Sequence, residues 1–203
     1  MKHNILVVVA HPDDETLGAG GTLRKHILSG DTVNVISMTD GVGARENGGK
    51  EEANQRLEAA KKASSIIGFN WTKNYNFEDN ALDTYPNLEI IKAVEKIKND
   101  VDPDIVYTHS GADLNIDHRI VARSVLTAFR PQPNETCNEI RHFEVPSATD
   151  YGHESITGTF RPNLFIDISE TWETKELALN AYESEMRNYP HSRSIEAMSN
   201  LGK

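Results

Sequence analysis

The sequence near the N-terminus reads Ile5-Leu6-Val7-Val8-Val9-Ala10, followed at once by His11-Pro12-Asp13-Asp14-Glu15, and this segment is the clearest indication of the fold. The first six residues form a continuous apolar run rich in β-branched residues, which is typical of a strand buried on both faces of a parallel sheet. The polar residues after it stand where the strand would end and a helix would begin. Ligands of open α/β sheets bind beyond the carboxyl ends of the strands, so this turn is in the position of a binding site.

Strand and helix patterns alternate along the rest of the chain. Further strands are predicted at residues 32–38, 71–77, 104–108, 139–145 and 163–168. Helices are predicted at residues 16–29, 51–67, 86–100 and 116–129, and one long helix at 169–188. The alternation favours parallel pairing with right-handed crossovers, and therefore an α/β sandwich. No repeat or linker interrupts the pattern, so we expect one domain over residues 1–203.

Composition excludes several classes of partner. The formal net charge is −10, which argues against a nucleic-acid backbone or an anionic membrane surface. Cys137 is the only cysteine, so no internal disulfide can form and a reducing compartment fits. The apolar run at residues 5–10 is too short for a signal peptide or a membrane span. These features predict a cytoplasmic protein that acts on a small molecule, and they leave homo-oligomerisation open.

The first polar turn carries side chains that can bind a metal ion. Imidazole and carboxylate are both ligands of divalent metals, and a short turn could aim His11 and Asp14 at one cation. Pro12 restricts the backbone before it and fixes its own φ, which stiffens the turn. The alternative is a solvated turn in which Asp14 caps the helix and Glu15 interacts favourably with its dipole.

A second polar turn, residues 109–118, follows a later strand. A lone histidine near a helix start is more often a capping or surface residue than a ligand. Neighbouring parallel strands, however, would bring the two turns together at one edge of the sheet. His11, Asp14 and His118 would then provide three protein ligands and leave positions open for water, as in a catalytic metal site. Asp13 would be placed to deprotonate that water.

These two turns resemble the motifs of a known family. Ala10-His11-Pro12-Asp13-Asp14-Glu15 and Asn115-Ile116-Asp117-His118 resemble the first and second motifs of the LmbE-like, or PIG-L-like, N-acetylglucosaminyl deacetylases. Met38-Thr39-Asp40-Gly41 and Arg56 match the family's loop and substrate-binding arginine, and Tyr189–Ser194 resembles a C-terminal feature of one sugar-modifying branch. The resemblance runs over nearly the whole chain.

The resemblance implies a fold, a cofactor and an activity. The fold would be Rossmann-like, a mostly parallel sheet with helices on both faces. His11, Asp14 and His118 would bind Zn²⁺, or another divalent metal such as Fe²⁺, and Asp13 would be the general base. The expected activity is removal of an N-acyl group, most often acetyl, from an amino sugar or its conjugate.

Asn115 departs from the family pattern. Several members have a histidine there that polarises the amide carbonyl or protonates the leaving amine. Asparagine can donate a hydrogen bond to an oxyanion but cannot transfer a proton, so Asp13 or another histidine, such as His191, would act as the acid. Asp117, in the same motif, is a further catalytic candidate.

Four residues are candidates for substrate binding. Arg56 taken alone reads as a surface arginine, and only the resemblance makes it a substrate contact. Arg45, on the glycine-rich loop, could meet an anionic substrate or be solvated. His191 and Arg193 follow the end of a predicted helix and could fold over the site or remain exposed.

Two other functions use the same residues. Two histidines and one carboxylate also describe the site of a non-haem iron oxygenase. An oxygenase, however, does not need a base beside the metal, and Asp13 is available as one. The second alternative is a non-catalytic sugar-binding protein. Binding alone does not require Asp13 either, so the residues favour the hydrolase.

Overall fold

Five strands form one sheet in the computed structural model, which describes residues 2–44, 49–133 and 135–201. The strands are β1 (Asn4–Val9), β2 (Thr32–Thr39), β3 (Asn70–Phe77), β4 (Ile105–His109) and β5 (Glu139–Phe143). Their order across the sheet is β3-β2-β1-β4-β5, and every neighbouring pair is parallel. The predicted parallel α/β fold is therefore confirmed.

Helices cover both faces of this sheet. They are α1 (Asp14–Leu28), α2 (Lys50–Ile67), α3 (Asn87–Val101), α4 (Ile116–Ala128), α5 (Glu154–Thr157), α6 (Trp172–Leu179) and α7 (Ile195–Leu201). Short 3-10 helices occur at Leu82–Thr84, Ser169–Thr171 and Asn180–Glu185. Helices α1, α2 and α6 pack together on one face, and α3 and α4 pack together on the other. None of the described helices is long and apolar enough to cross a membrane.

Strand β1 lies at the centre of the sheet and contributes to both cores. Ile5, Val7 and Val9 belong to the apolar cluster on the α1–α2–α6 face, and Leu6 and Val8 belong to the cluster on the α3–α4 face. All five side chains are fully buried. Burying each contributes about 1.5–3 kcal/mol, which explains why the run has no polar member.

Two predictions near the C-terminus are wrong. Residues 163–168 do not pair with any strand in the described part of the chain, although their apolar pattern predicted one. The helix predicted at 169–188 is instead divided into Ser169–Thr171, α6 and Asn180–Glu185, with non-helical backbone at Tyr182. Local pattern cannot supply a pairing partner, and tertiary contacts of Tyr182 compete with the helix for this segment.

The order of the strands creates a crevice for ligands. The chain runs outward from β1 through β2 to β3, then crosses to the other side of β1 and continues through β4 to β5. The crossover direction therefore changes between β1 and β4, and the carboxyl ends of these two neighbours form the topological switch point. Both polar turns begin there, at His11 and Ser110.

Candidate metal centre

The three predicted metal ligands converge at the switch point. His11 Nδ1 lies 3.2 Å from Asp14 Oδ2 and 3.2 Å from His118 Nε2, and His118 Nε2 lies 3.3 Å from Asp14 Oδ2. All three side chains are buried. Two imidazole nitrogens and one carboxylate oxygen pointing at a common position form a donor set that could hold a divalent cation.

Carboxylates behind the two histidines set which ring nitrogen is free. His11 Nε2 lies 3.1 Å from Asp79 Oδ1 and 3.4 Å from Asp117 Oδ2. His118 Nδ1 lies 3.1 Å from Asp113 Oδ2. A ring N–H donated to each carboxylate leaves His11 Nδ1 and His118 Nε2 with lone pairs facing the common position. Carboxylate partners of this kind orient metal-binding histidines and raise their basicity.

The environment of the Asp14 carboxylate indicates whether the three side chains could hold a cation. Its Oδ2 accepts the backbone N–H of His11 at 2.9 Å, but its buried Oδ1 has no hydrogen-bond partner among the described residues. Burial raises the pKa of this carboxyl, and the neighbouring His118 imidazole outweighs that effect, so the pKa lies well below its usual range. An ionised, buried carboxylate with one oxygen unpartnered fits a metal ligand, because a nearby cation would offset the cost of desolvating the charge.

Asp13 stands beside the ligands on a strained backbone. Its φ is 154°, and its N–H donates to Glu15 Oε2 at 3.1 Å. Its carboxylate is buried and pairs with Arg56 Nη1 at 3.0 Å. Burial raises the pKa of Asp13, and Arg56 opposes the rise. A carboxylate with a raised pKa beside a metal site suits a general base.

Residues from the C-terminal part of the chain complete this turn. Tyr182 Oη donates to Glu15 Oε1 at 2.9 Å, and Arg56 Nη2 is ion-paired with Glu185. Arg193 Nη1 lies 3.5 Å from both Asp13 Oδ2 and Glu185 Oε2. The predicted substrate contact Arg56 is only 5% exposed, and its guanidinium contacts Asp13, Glu185 and the backbone carbonyl of Pro12.

Asn115 and Asp117 support the second turn. Asn115 Oδ1 accepts the backbone N–H groups of Asp117 at 2.8 Å and His118 at 3.4 Å, which caps α4. Its side-chain amide nitrogen remains as a possible donor. The buried Asp117 carboxylate accepts the N–H groups of Asn80 at 2.7 Å and Leu82 at 3.1 Å. Asp117 thus joins the loop after β3 to the site and orients His11.

His109, at the end of β4, is fully buried and lies against His118. The two rings are stacked, with centroids 3.9 Å apart and planes inclined by 12°. His109 Nε2 accepts the backbone N–H of Ala10 at 2.8 Å. Burial and the neighbouring His118 lower the pKa of His109 well below its usual value, so the ring is neutral. A neutral ring fits closely against a ligand histidine without adding charge.

A cavity of about 260 Å³ opens onto the centre. It is lined by His11, Asp13, Gly41, Ala44, Arg56, Asp79, Asn80, Asn115, Glu185 and Arg193. His191 does not line it; its ring instead contacts that of Tyr151, with centroids 6.3 Å apart. Arg45, the remaining predicted substrate contact, lies outside the described residues.

The sequence reasoning missed four residues that hold the site together. Asp113 lies only five residues before His118, so its carboxylate could have been considered from spacing. Asp79 follows β3, and the order of the parallel strands would have indicated it. Tyr182 and Glu185 carry no local signal, because they approach Glu15 and Arg56 only through the tertiary fold.

Comparison with known proteins identifies the family. A parallel α/β sheet whose switch point brings together two histidines and two aspartates, three of which could hold a metal ion, fits the hydrolase class. Residues 6–129 match the PIG-L family, described as GlcNAc-PI de-N-acetylase. The chain belongs to this family.

Individual relatives are similar over most of the chain. An uncharacterized deacetylase, YaiS of Escherichia coli, is 31% identical and covers 87% of this chain and 88% of its own length. The diacetylchitobiose deacetylase of Thermococcus kodakarensis is 30% identical over 89% of this chain and 69% of its own. The conserved protein TT1542 of Thermus thermophilus shares the fold, with a TM-score of 0.76, 24% identity and coverage of 98% of this chain and 86% of its own.

Proposed function

We propose that this protein is a zinc-dependent deacetylase that removes the N-acetyl group from an amino sugar or an amino-sugar conjugate. The observation that carries the proposal is the convergence of His11, Asp14 and His118 beside the buried carboxylate of Asp13. Membership of the de-N-acetylase family and the similarity to a diacetylchitobiose deacetylase support the choice of substrate class.

The donor set suits zinc. Two imidazole nitrogens and one carboxylate oxygen would hold the ion and leave a position open on the cavity side. When bound, such an ion lowers the pKa of water and polarises a carbonyl group. Asp113, Asp79 and Asp117 fix the orientation of the two histidines, so the ligands are arranged before any ion arrives.

Asp13 moves the proton in this scheme. Its carboxylate accepts a proton from water as the water oxygen bonds to the acyl carbon, and the C–N bond then breaks to release acetate. The proton held by Asp13 passes to the nitrogen, which leaves as the primary amine of the sugar. Arg56 holds the carboxylate in place at 3.0 Å, so the base requires little reorganisation during the reaction.

Two side chains of the cavity would contact the substrate, and a third would act indirectly. The free amide N–H of Asn115 would donate to the acyl oxygen where negative charge develops. Arg193, whose side chain is 19% exposed, lines the cavity and would contact sugar hydroxyls or an anionic substituent. Arg56 would act through Asp13. We retain Arg45 and His191 as predicted substrate contacts.

Release of primary amine and acetate tests the proposal. The zinc-loaded protein would be incubated separately with N-acetylglucosamine, N,N′-diacetylchitobiose and UDP-N-acetylglucosamine, and both products would be quantified. We expect equimolar amine and acetate from at least one substrate, with loss of activity on chelation and recovery with Zn²⁺. Asp13→Asn is the matched control, because it preserves shape but not basicity.

Each alternative has its own readout in the same experiment. Oxygen uptake with Fe²⁺ and a co-substrate, without amine release, would identify an oxygenase and contradict the proposal. Saturable sugar binding with no product from any substrate would identify a binding protein. Full activity of Asp13→Asn would contradict the role assigned to the base.

A further inference from the structure

A second, larger concavity lies along the outer edge of the sheet. Its volume is about 1490 Å³, and none of its lining residues lines the cavity at the metal centre. Strand β5 forms one wall, residues 159–168 form another, and residues of α1 and α6 also line it. We call this feature the β5 groove. The proposed deacetylase chemistry makes no use of it.

One wall of the β5 groove is an edge strand, and the other is a segment without regular secondary structure that pairs with none of the described strands. Strand β5 is at the edge of the sheet, and within the described residues it pairs only with β4. Residues 163–168 have the apolar pattern of a strand but pair with none. An edge strand presents a row of backbone N–H and C=O groups that can pair with another chain.

The groove also exposes apolar side chains. Leu164 is 50% exposed and Phe165 is 80% exposed on the wall formed by residues 159–168. Leu17, Phe143 and Trp172 line the groove as well. An exposed apolar surface beside an unpaired strand edge is characteristic of a site that receives an extended peptide, because alternate side chains can fill it while the backbones pair.

Lys175 provides charge complementarity at this site. Its side chain lines the groove, yet the residue is only 7% exposed. Within the described part of the chain it makes no ion pair and no hydrogen bond; its ammonium lies 6.0 Å from the centre of the Trp172 ring. Burial lowers the pKa of Lys175 to about 8, and Glu144 opposes the shift, so the group is still charged at pH 7. Glu144 thus acts on the ammonium without forming an ion pair with it, and a carboxylate in direct contact would further offset the cost of burying the charge.

We propose that the β5 groove binds an extended strand of another polypeptide, which pairs with the edge of β5 and places a carboxylate against Lys175. A polypeptide accounts for the unpaired backbone on both walls, whereas a small amphipathic acid would satisfy only Lys175 and the apolar surface. The strand would add a sixth member to the sheet beside β5. This is the β-augmentation mode of peptide recognition.

Fluorescence polarisation with labelled peptides tests the proposal on the full chain. The first probe is a seven-residue peptide of alternating valine and threonine with a central glutamate, and the second carries glutamine there. A third is the glutamate peptide N-methylated at alternate residues, which blocks strand pairing. We expect the glutamate peptide to bind about tenfold more tightly than the glutamine peptide, the scale of one hydrogen bond to a charged group, and the N-methylated peptide not to bind.

Hydrogen exchange locates the peptide. Backbone amides of Glu139–Phe143 and of residues 163–168 should exchange more slowly in the presence of the glutamate peptide, while amides at the metal centre should not change. Protection at the metal centre alone, or no saturable binding at millimolar peptide, would overturn the proposal. Equal binding of the N-methylated peptide would overturn strand pairing, and preferential binding of decanoate would reassign the groove to small amphipathic acids.

The substitution Lys175→Met measures how much the charge of the Lys175 ammonium contributes to peptide binding. The substitution keeps the length of the side chain and removes the buried cation, so the glutamate and glutamine peptides should bind equally. Lys62→Met, which removes an exposed lysine of α2, is the matched control and should keep the tenfold preference. If Lys175→Met does not fold, the relative affinities of the glutamate and glutamine peptides for the unaltered chain still test the proposal. A concentration-dependent dimer that protects the β5 amides without peptide would overturn the proposal in favour of a second copy.

Discussion

The two turns at the switch point are held in different ways. The turn after β1 has a strained residue, Asp13, and depends on Arg56, Tyr182 and other residues far along the chain. The turn after β4 has no residue of this kind: Asn115 donates its N–H to Asp113 and caps α4 with its side chain. Its Asp113 and Asp117 carboxylates also accept hydrogen bonds from Thr149, Asn80 and Leu82. Both turns therefore use contacts from elsewhere in the fold, but only the first must also offset backbone strain.

Energetics explain the difference. Positive φ at a residue other than glycine costs about 1–3 kcal/mol, and it persists only where surrounding contacts determine it. Glu15 accepts the N–H of Asp13 and Arg56 binds its carboxylate, so the strain is offset by buried contacts. The second turn has no such strain to offset at His118, and a helix cap of about 1 kcal/mol is enough to begin α4.

The largest effect should come from removing His118, the proposed metal ligand that the second turn contributes. His118→Ala deletes one of three ligands, and we expect the protein to lose most of its bound zinc and its activity. Elemental analysis with thermal unfolding would measure both metal content and folding. His3→Ala, at an exposed histidine, is the control and should retain metal. Full occupancy in His118→Ala would mean that the two turns do not share an ion.

The second-largest effect should come from substituting Asp13, the proposed general base on the strained turn. Asp13→Asn keeps the shape of the side chain but cannot accept a proton, so turnover should fall by about a hundredfold or more. Zinc content should be unchanged, because Asp13 is not among the proposed ligands. Steady-state kinetics on the zinc-loaded variant, with metal analysis on the same sample, would measure this. Near-normal turnover would remove the functional reason for the strain.

Substitutions of Asn115 can distinguish its proposed role as a hydrogen-bond donor to the acyl oxygen from its role as the cap of α4. Asn115→Ala should cost about 0.5–2 kcal/mol in unfolding free energy through loss of the cap. If the amide also donates to the acyl oxygen, turnover should fall by about a hundredfold. Asn115→Ser is the matched variant: it restores the cap, and its shorter side chain does not replace the amide donor. Recovery of both stability and turnover in Asn115→Ser would show that only the cap matters.

The smallest effect on turnover should come from the distant support of the first turn. Tyr182→Phe removes the hydroxyl that donates to Glu15 and leaves a buried carboxylate oxygen with one partner fewer. We expect a loss of about 1–3 kcal/mol in unfolding free energy, measured by denaturant titration. We also expect a fall in kcat larger than any change in KM, since Asp13 is displaced rather than the substrate. An unchanged kcat at reduced stability would mean that the turn holds its geometry without Tyr182.

Much of the site was predictable because its chemistry is concentrated in two short segments. His11, Asp13 and Asp14 follow a strand whose burial is evident from composition, and His118 follows another. Parallel pairing then requires both turns to lie at one edge. Substrate contacts were harder to predict, because exposure is not a local property: Arg56 reads as a surface residue and is buried.

The fold near the C-terminus shows where local pattern is insufficient. Residues 163–168 have the composition of a strand, but a strand exists only if a neighbour accepts its hydrogen bonds, and none of the described strands does so. The segment Asn180–Glu185 follows a helix and could have continued it. It tightens instead, which brings Tyr182 and Glu185 onto the first turn.

Neighbouring residues alone specify the α/β class, the buried central strand and the residue types that could bind a metal, because apolar periodicity and short-range spacing are local properties. Folding of the whole chain is needed to bring Asp79 to His11, Arg56 to Asp13, and Lys175 into the groove beside β5. The two ion pairs in this set join residues dozens of positions apart. The free energy of these contacts depends on side chains that are desolvated and paired at one position in the fold. A short segment of sequence does not contain both partners.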